Sequence, residues 1–367
     1  MRADLPDAIA RAIDACEQPT LVFDRARIDV NLRELASAAR AHGITSLFAA
    51  KSFPHPDVWA MAAEHCDGFD AASAGEIAAL PAARVLSIVD PTGRALAATD
   101  AGAHPQRVIV GCETLAQVER APAHAEIAIR ISASITGRDP AIGAVLDGNG
   151  HRRSRFGLDV RDAGDRSALD ELRAMARAAT GRPVGLHVHH GPVTATSGER
   201  FIASARAVLD LAREAGIEPA FLDLGGAWHG IAEWGDAFAK IRAAITGLEL
   251  LVEPGRAIAR EAGFACGRVV VARELADRSL RVVDLSRNCH LRWSQIELVG
   301  AAPHAGTGRD TLVVGPTCYE DDVLGEWIGS PDMLDEGARF AVRGVTGYAV
   351  AWNTSFGGVP AADVQIV

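Results

Sequence analysis

A lysine, Lys51, follows directly on the short apolar run SLFAA (46–50). An ammonium at the end of such a run is set before whatever groups gather there, and these can depress its pKa and make it an imine-forming amine. Other reactive side chains stand at comparable places. Asp70 lies within GFDAA (68–72), Arg130 within EIAIRI (126–131), and His187 and His189 close VGLHVH (184–189). Gly225 and Gly226 follow AFLDL (220–224), and Glu253 follows ELLV (249–252). Each has a plain structural reading: a solvated lysine at a helix start, a strand-end aspartate at Asp223, a glutamate capping the turn before Pro254. The functional reading gains weight only if the fold gathers these run ends into one place.

The order of elements does that. Eight apolar runs, the five above plus RVLSIV (84–89), RVIV (107–110) and the Lys51 run itself, alternate with Ala-rich amphipathic stretches. The stretches predict helices at Arg27–Ala41, Pro54–Glu64, Ala74–Leu80, Thr92–Ala101, Thr114–Arg120, Ala163–Ala179, Gly198–Ala215 and Trp234–Ile245. Strands alternating with helices imply a parallel sheet, and eight such units imply a closed (β/α)₈ barrel of the TIM type, here placed at residues 26–260. Loops at the C-terminal strand ends of such a barrel converge on one mouth. A carboxylate such as Glu253 facing a barrel centre is costly unless paired, and a protonated pyridine nitrogen is a suitable partner. Gly225 and Gly226 lack Cβ atoms, so their amides can approach a phosphate closely. His187, His189 and His190 invite a metal reading, but alternation is expected to turn His189 from its neighbours, and no carboxylate or cysteine at ligand spacing completes a site; no metal is expected.

Beyond Pro254 the pattern changes. RVVVAREL (268–275), LRVVDL (280–285), DTLVVG (310–315), ARFAVRGV (338–345) and YAVAW (348–352) read as strands joined by turns, an all-β domain at 261–367 to which residues 1–25 contribute TLVFD (20–24). The 367 residues exceed what one core usually holds, which suits two domains. A formal charge of −10 without a basic stripe argues against a nucleic-acid surface. Six cysteines without C-x-x-C spacing fit reduced thiols. MRADLPDAIARAID lacks the pattern of a signal peptide, and no apolar run approaches the ~20 residues of a membrane span, so a cytoplasmic protein without membrane association is expected.

Eight motifs occur in one order on these elements: FAAKSFP (48–54), FDAASAGE (69–76), SRFGLD (154–159), GLHVHHG (185–191), DLGG (223–226), EPGR (253–256), GPTCYEDDVLG (315–325) and GYAVAWNTSFGG (347–358). From Pro19 nearly to the C-terminus the chain resembles the fold-type III decarboxylases dependent on pyridoxal 5′-phosphate (PLP), the group that includes ornithine, diaminopimelate and carboxynorspermidine decarboxylases. The resemblance implies an alanine racemase-like barrel with a C-terminal β-domain, PLP as cofactor and removal of the α-carboxylate of an amino acid or carboxylated polyamine. It makes Lys51 the Schiff-base lysine, stacks His189 on the pyridine ring and pairs Glu253 with the ring nitrogen. Gly225, Gly226, Gly255, Arg256 and Tyr348 would hold the phosphate, with Asp70, Glu76 and Arg130 as polar support. Cys318 and Asp322 match a segment that reaches into the partner subunit's site, which implies a head-to-tail homodimer with composite sites. Cys318 would protonate the substrate carbon after carbon dioxide leaves.

The departures bear on the phosphate and the substrate. Pro192 stands where a phosphate-contacting serine is usual, with Thr194 or Thr196 as substitutes, and Ala227 replaces the third glycine of the glycine run. Tyr319 replaces the acid that contacts the distal amine in the ornithine and diaminopimelate enzymes, with Glu320 and Asp321 following. DLSRNCHL (284–291) is closer to the carboxynorspermidine type, whereas Arg292 sits near the carboxylate-binding arginine of the diaminopimelate type. Tyr319, Glu320, Asp322 and Arg292 are thus the expected substrate contacts. Three alternatives stand beside this reading: an amino-acid racemase, a non-catalytic PLP carrier, and a phosphate-sugar barrel enzyme without PLP.

Overall fold

The computed structural model describes residues 5–98, 105–132, 145–146, 152–160, 165–191, 198–299, 310–328 and 334–367. Two compact units emerge: Leu32–Lys51 with Val58–Ala257, and Met1–Asn31 with Ser52–Asp57 and Ile258–Val367. The division thus falls six residues into the 26–260 segment at its start and returns 52–57 to the sheet unit.

In the first unit eight parallel strands close into a barrel, in chain order Ile44–Ala49, Gly68–Ala71, Val85–Ile88, Arg107–Cys112, Glu126–Arg130, Val184–His187, Phe221–Asp223 and Glu249–Val252. Each lies within or overlaps the apolar run expected for it. Most of their residues are buried, as strands covered on both faces require. Leu47, Val85, Ile109, Ala128, Phe221 and Leu251 form an interior layer. Gly185 makes room for it, since a Cβ there would lie 2.3 Å from the Phe221 ring. At the strands' N-terminal ends, Arg107 donates to Glu126 Oε1 at 3.0 Å and Oε2 at 2.7 Å, and to Glu249 Oε1 at 2.6 Å and Oε2 at 3.1 Å. Its guanidinium carbon lies 5.4 Å from the Phe221 ring centre.

The helices follow the amphipathic stretches within a few residues, with one difference. After the third strand the described residues hold only a 3-10 turn, Ala95–Ala98, because Asp90 takes over the local backbone donors. Its carboxylate accepts from Thr92 N, Thr92 Oγ1 and Ala95 N at 2.8 Å each, an Asx-type arrangement that competes with helix formation. A two-residue hairpin, Val145–Leu146 with Arg152–Arg153, was not legible as strand.

The second unit is an eight-stranded sheet built around the long strand Gly263–Glu274. Its first half pairs antiparallel with Thr20–Phe23 and Arg339–Arg343. After a register shift between Val269 and Val271, its second half pairs with Ser279–Val283. Thr20–Phe23 therefore does join this sheet, as expected of TLVFD, and also pairs parallel with Asp363–Ile366.

Two features of this unit depart from the sequence reading. YAVAW is not a strand: Tyr348–Ala351 is one helical turn starting after Gly347. Helical spacing puts Tyr348 and Trp352 on one face, and both rings pack on Trp293, at 5.0 and 5.5 Å between centroids. The N-terminal segment forms a helix, Asp7–Ala15, whose buried Ile9, Ala12 and Ile13 pack with Val22, Phe264 and Ala341.

Candidate active site

Strand register assembles the barrel mouth. Cα pairing sets Ala49 beside Asp70, Arg130 beside His187, and His187 beside Asp223. Backbone bonds then tie the rim: Glu253 N donates to Gly225 O at 2.8 Å and Ala49 N to Pro254 O at 2.9 Å. Residues scattered over two hundred positions become one cluster.

Lys51 sits on the 3-10 turn Ala50–Ser52 that ends the first strand. Its ammonium contacts the carboxylate of Asp70, which is fully buried, while the lysine side chain keeps 40 % exposure. A solvated lysine at a helix start would not face a buried carboxylate. Arg130, nearly buried, donates to Glu113 Oε1 at 3.1 Å and lies 4.4 Å from the Phe156 ring centre. Glu113 and Phe156 were missed by the sequence reading, although Phe156 stands inside SRFGLD. Glu76 Oε2 accepts from Ala72 N at 2.7 Å and so pins the loop after the second strand. Burial raises its carboxyl above the usual range.

His189 Nδ1 accepts from Gly226 N at 3.1 Å, which fixes the proton of the neutral ring on Nε2. Burial, then Arg130 and Lys51, bring its pKa down to about 3. His187 is buried without a hydrogen-bond partner for either ring nitrogen, and burial and the same cations keep it neutral. It is His190 that leaves the group, packing edge-on to Phe201 at 6.1 Å. Alternation therefore separates His190, not His189: residues two apart share a strand face and residues one apart do not.

The spatial grouping also bears on the expectation that no carboxylate or cysteine at ligand spacing completes a site with the histidines. His187, Asp223 and Glu253 present ligand-type atoms within 4.8 Å of one another, all buried. They lie on adjacent strands far apart in sequence, so linear spacing hid them. Burial and the neighbouring Asp223 hold the Glu253 carboxyl well above its usual range, and burial brings Asp223 up to about 6. Glu253 Oε1 has no hydrogen-bond partner. A buried acid pair with an unsatisfied oxygen is costly until a cation or proton donor reaches it, and a protonated pyridine nitrogen is both.

Beside it Asp223 Oδ1 accepts from Gly225 N at 2.8 Å, and Gly225 adopts φ 66°. A Cβ on Gly225 would lie 2.7 Å from His189 Nδ1, and one on Gly226 would lie 2.6 Å from Glu253 O. Ala227 keeps the left-handed φ of 69° that a third glycine would adopt freely. Gly255 is buried and Arg256 opens the 3-10 turn Arg256–Ala259. The mouth thus joins an amine, a buried acid for a ring nitrogen, a neutral imidazole and a glycine turn, a set that fits PLP. Pro192, Thr194 and Thr196 lie outside the described residues.

The other expected site residues belong to the sheet unit. Cys318 is exposed between Asp310–Val314 and Val323–Ile328. Tyr319 is 57 % exposed and packs on Phe356 at 5.2 Å. Glu320 is exposed, and Asp321 accepts from Asn288 Nδ2 at 3.1 Å. Arg292 lies 4.8 Å over the Trp352 ring. Asp322 differs from its neighbours: it is buried and accepts from Ser286 Oγ, Arg287 N, Thr317 N and Thr317 Oγ1. Its carboxylate is turned inward, where it joins the 286–288 and 315–317 loops instead of facing out with Cys318 and Tyr319.

Comparison with known proteins agrees with this geometry. Residues 26–260 match the family described as pyridoxal-dependent decarboxylase, pyridoxal binding domain. The diaminopimelate decarboxylase of Pseudomonas aeruginosa is 27% identical, over 95% of this chain and 87% of that protein. Among solved structures, the Helicobacter pylori diaminopimelate decarboxylase complexed with L-lysine superposes with a TM-score of 0.75 at 21% identity, covering 98% of this chain and 94% of that one. The Paramecium bursaria Chlorella virus arginine decarboxylase bound to agmatine gives 0.75 at 17% identity, covering 98% and 99%. These relatives lend the racemase alternative no support. The chain belongs to the pyridoxal-dependent decarboxylases and is a PLP-dependent amino-acid decarboxylase of the barrel-plus-β-domain fold.

Proposed function

We propose that Lys51 holds the cofactor covalently, that Glu253 pairs with its ring nitrogen, and that the substrate is longer or differently substituted than ornithine, lysine and meso-diaminopimelate, all three being poor substrates. The observation that carries the reading is the contact of the Lys51 ammonium with the buried Asp70 at the same strand ends that gather Glu253, His189 and the Gly225–Gly226 turn. Bound PLP supplies an electron sink for the pair left on the α-carbon when carbon dioxide departs. Asp70 orients the Lys51 amine by accepting its hydrogen bond and balances its positive charge. Glu253, buried just after the eighth strand, would keep a proton on the ring nitrogen. Neutral His189 offers a flat face without adding positive charge, and its bond to Gly226 N fixes the ring's angle. Gly225, Gly226, Gly255, Arg256 and Tyr348 hold the phosphate.

Cys318 delivers the proton to the substrate carbon from the partner subunit, so the working unit is a homodimer. The chain is proposed to act in the cytoplasm; among the described residues no helix is long and apolar enough to cross a membrane. Tyr319 sets the substrate class. Its uncharged phenol cannot replace the charge-assisted bond that a carboxylate gives a terminal ammonium. Glu320 and Asp321 place the acids farther along the loop, which suits a carboxylated polyamine or an amino acid whose cation lies farther from the α-carbon.

Two measurements test this. The purified protein should absorb at the band of lysine-bound PLP, and borohydride should fix the cofactor on Lys51; attachment to another lysine, or none, ends the reading. A screen of amino acids and carboxylated polyamines for carbon dioxide release then sets the substrate. Turnover of ornithine or meso-diaminopimelate in the upper part of the usual ~10⁴–10⁸ M⁻¹s⁻¹ range would show that Tyr319 does not define the pocket.

A further inference from the structure

Cys16 and Cys266 stand 250 residues apart in sequence, yet their sulfurs lie 2.6 Å apart, with Cys266 Sγ donating to Cys16 Sγ. Both residues are buried among Ile13, Val22, Phe264 and Ala341, where the N-terminal helix packs on the long central strand of the sheet. Neither belongs to the candidate active site. We propose that Cys16 and Cys266 are a reversible redox pair that a peroxide converts to a disulfide, fastening the N-terminal helix to that strand.

The geometry favours this product over other fates of the thiols. A disulfide bond is about 2.05 Å long, so the sulfurs need approach by only about half an ångström. Cys16 lies at the C-terminal end of the Asp7–Ala15 helix and leads into the link to Thr20, where small backbone adjustments disturb no ladder. Cys266 is in the sheet, bonded on one side to Thr20–Phe23 and on the other to Arg339–Arg343, so it is the fixed partner.

The two sulfurs also differ in character. Cys16 donates to Ala12 O at 3.1 Å while protonated. Hydrogen bonds from Cys266 and Thr20 and the charge of Arg339 favour its thiolate against burial and bring its pKa down to about 6. The hydrogen bond it gives to Cys16, together with burial, pushes the Cys266 thiol up. Because Cys16 stands at a helix end that can move and Cys266 is held between two strands, Cys16 is assigned as the nucleophile and Cys266 as the resolving thiol.

The chemistry closes with one equivalent of hydrogen peroxide. The Cys16 thiolate attacks one peroxide oxygen, the O–O bond breaks, hydroxide leaves, and Cys16 becomes a sulfenic acid. The Cys266 sulfur then attacks Cys16 Sγ; the S–O bond breaks, the Cys266 proton leaves with the hydroxyl as water, and the S–S bond forms. Both sulfurs are oxidised by one electron each and the peroxide is reduced by two. A peroxide is small and uncharged, which suits a thiol that is only 8% exposed. The ring so closed contains every residue of the barrel unit, from Leu32 to Ala257.

The test uses the purified full chain. After graded hydrogen peroxide, the protein is unfolded, alkylated with N-ethylmaleimide and mapped by mass spectrometry. The expected result is a Cys16–Cys266 peptide pair two mass units below the sum of its thiols, reversed by dithiothreitol and formed at or below the dose that oxidises exposed Cys318. Thermal melting should move upward with the cross-link in the wild type and return with dithiothreitol, and peroxide should leave the Cys16→Ser melting point in place. Full alkylation of Cys16 and Cys266 at doses that have oxidised Cys318 overturns the proposal, as does Cys16 recovered as a sulfinic acid without a cross-link. If Cys16→Ser does not fold, the wild-type map decides alone.

Discussion

His187 Nε2 lies 3.9 Å from Glu253 Oε2, and both side chains are buried. With the imidazole held neutral and the carboxyl held up, the two do not form an ion pair; the acid is left for a partner that brings its own positive charge. Glu253→Gln should therefore lower kcat/KM by roughly 10²–10³, the usual cost of removing one preorganised electrostatic group. The cofactor-stripped variant should melt no lower than the wild type, because the substitution removes a buried ionisable group. Steady-state kinetics within a few-fold of wild type would count against the ring-nitrogen role.

The acid pair also makes a statement about pH. Asp223 is held at about 6, above its unfolded value near 3.9, chiefly by burial. A carboxyl raised on folding favours the folded state at low pH, and that contribution is lost as pH rises from the unfolded value through about 6. Comparing cofactor-stripped wild type with Asp223→Asn, both carrying Glu253→Gln, removes the coupled acid as well as the distant titrating groups from the difference. The melting point of wild type relative to the variant should fall between about pH 4 and 6 and level off above. A flat difference across that window would show that Asp223 titrates normally.

Ala227 carries φ 69° in the turn after the seventh strand. An L-residue there costs about 1–2 kcal/mol, whereas glycine at an ordinary site costs about 0.5–1 kcal/mol of extra chain entropy. Ala227→Gly should leave stability unchanged or raise it by up to about 1 kcal/mol. Urea denaturation checks this, and a loss of about 1 kcal/mol, the ordinary Ala-to-Gly penalty, would contradict it.

Asp322 and Tyr319 are three residues apart and should behave oppositely. Asp322→Ala leaves Ser286, Arg287 and Thr317 donors without their acceptor and should cost roughly 3 kcal/mol. Tyr319→Ala, at an exposed position, should change stability by less than about 0.5 kcal/mol while altering the ratio of kcat/KM between substrates. Equal stability losses would mean that Tyr319 too is structural.

The two-chain reading has its own test. Mixing Lys51→Ala with Cys318→Ala should restore roughly a quarter of wild-type activity, because half the dimers are hybrids and each hybrid keeps one intact site of two. A mixture that stays inactive while subunits demonstrably exchange would remove Cys318 from the partner's site.

The barrel was legible because a strand buried on both faces needs an unbroken apolar run, and amphipathic stretches separate each of the eight runs from the next. Lys51, Asp70 and Glu253 were legible because they punctuate those runs. The His187–Asp223–Glu253 grouping was not, since it exists only once the sixth, seventh and eighth strands lie side by side. YAVAW misled because Tyr, Val and Trp at alternating positions read as a strand, although Tyr348 and Trp352 are also one helical turn apart and share Trp293. The N-terminal helix does carry a local signal, Ile9, Ala12 and Ile13 at helical spacing, whereas the Cys16–Cys266 contact depends on a partner strand 250 residues downstream, which no local pattern encodes.

The clasp of Arg107 on Glu126 and Glu249 has a consequence for how the chain is made. Glu126 lies on the neighbouring strand and is synthesised soon after Arg107, whereas Glu249 is 142 residues later. A ribosome that has exposed the chain only as far as the seventh strand presents an Arg107 with one of its two carboxylates and a curl of strands with two open edges. Such edges invite pairing with other chains. The arginine can take its second partner only when the eighth strand arrives, so this ion pair comes with barrel closure and cannot precede it. For this protein the interval between emergence of the first and eighth strands is a window of exposure, and it ends when residue 249 reaches residue 107.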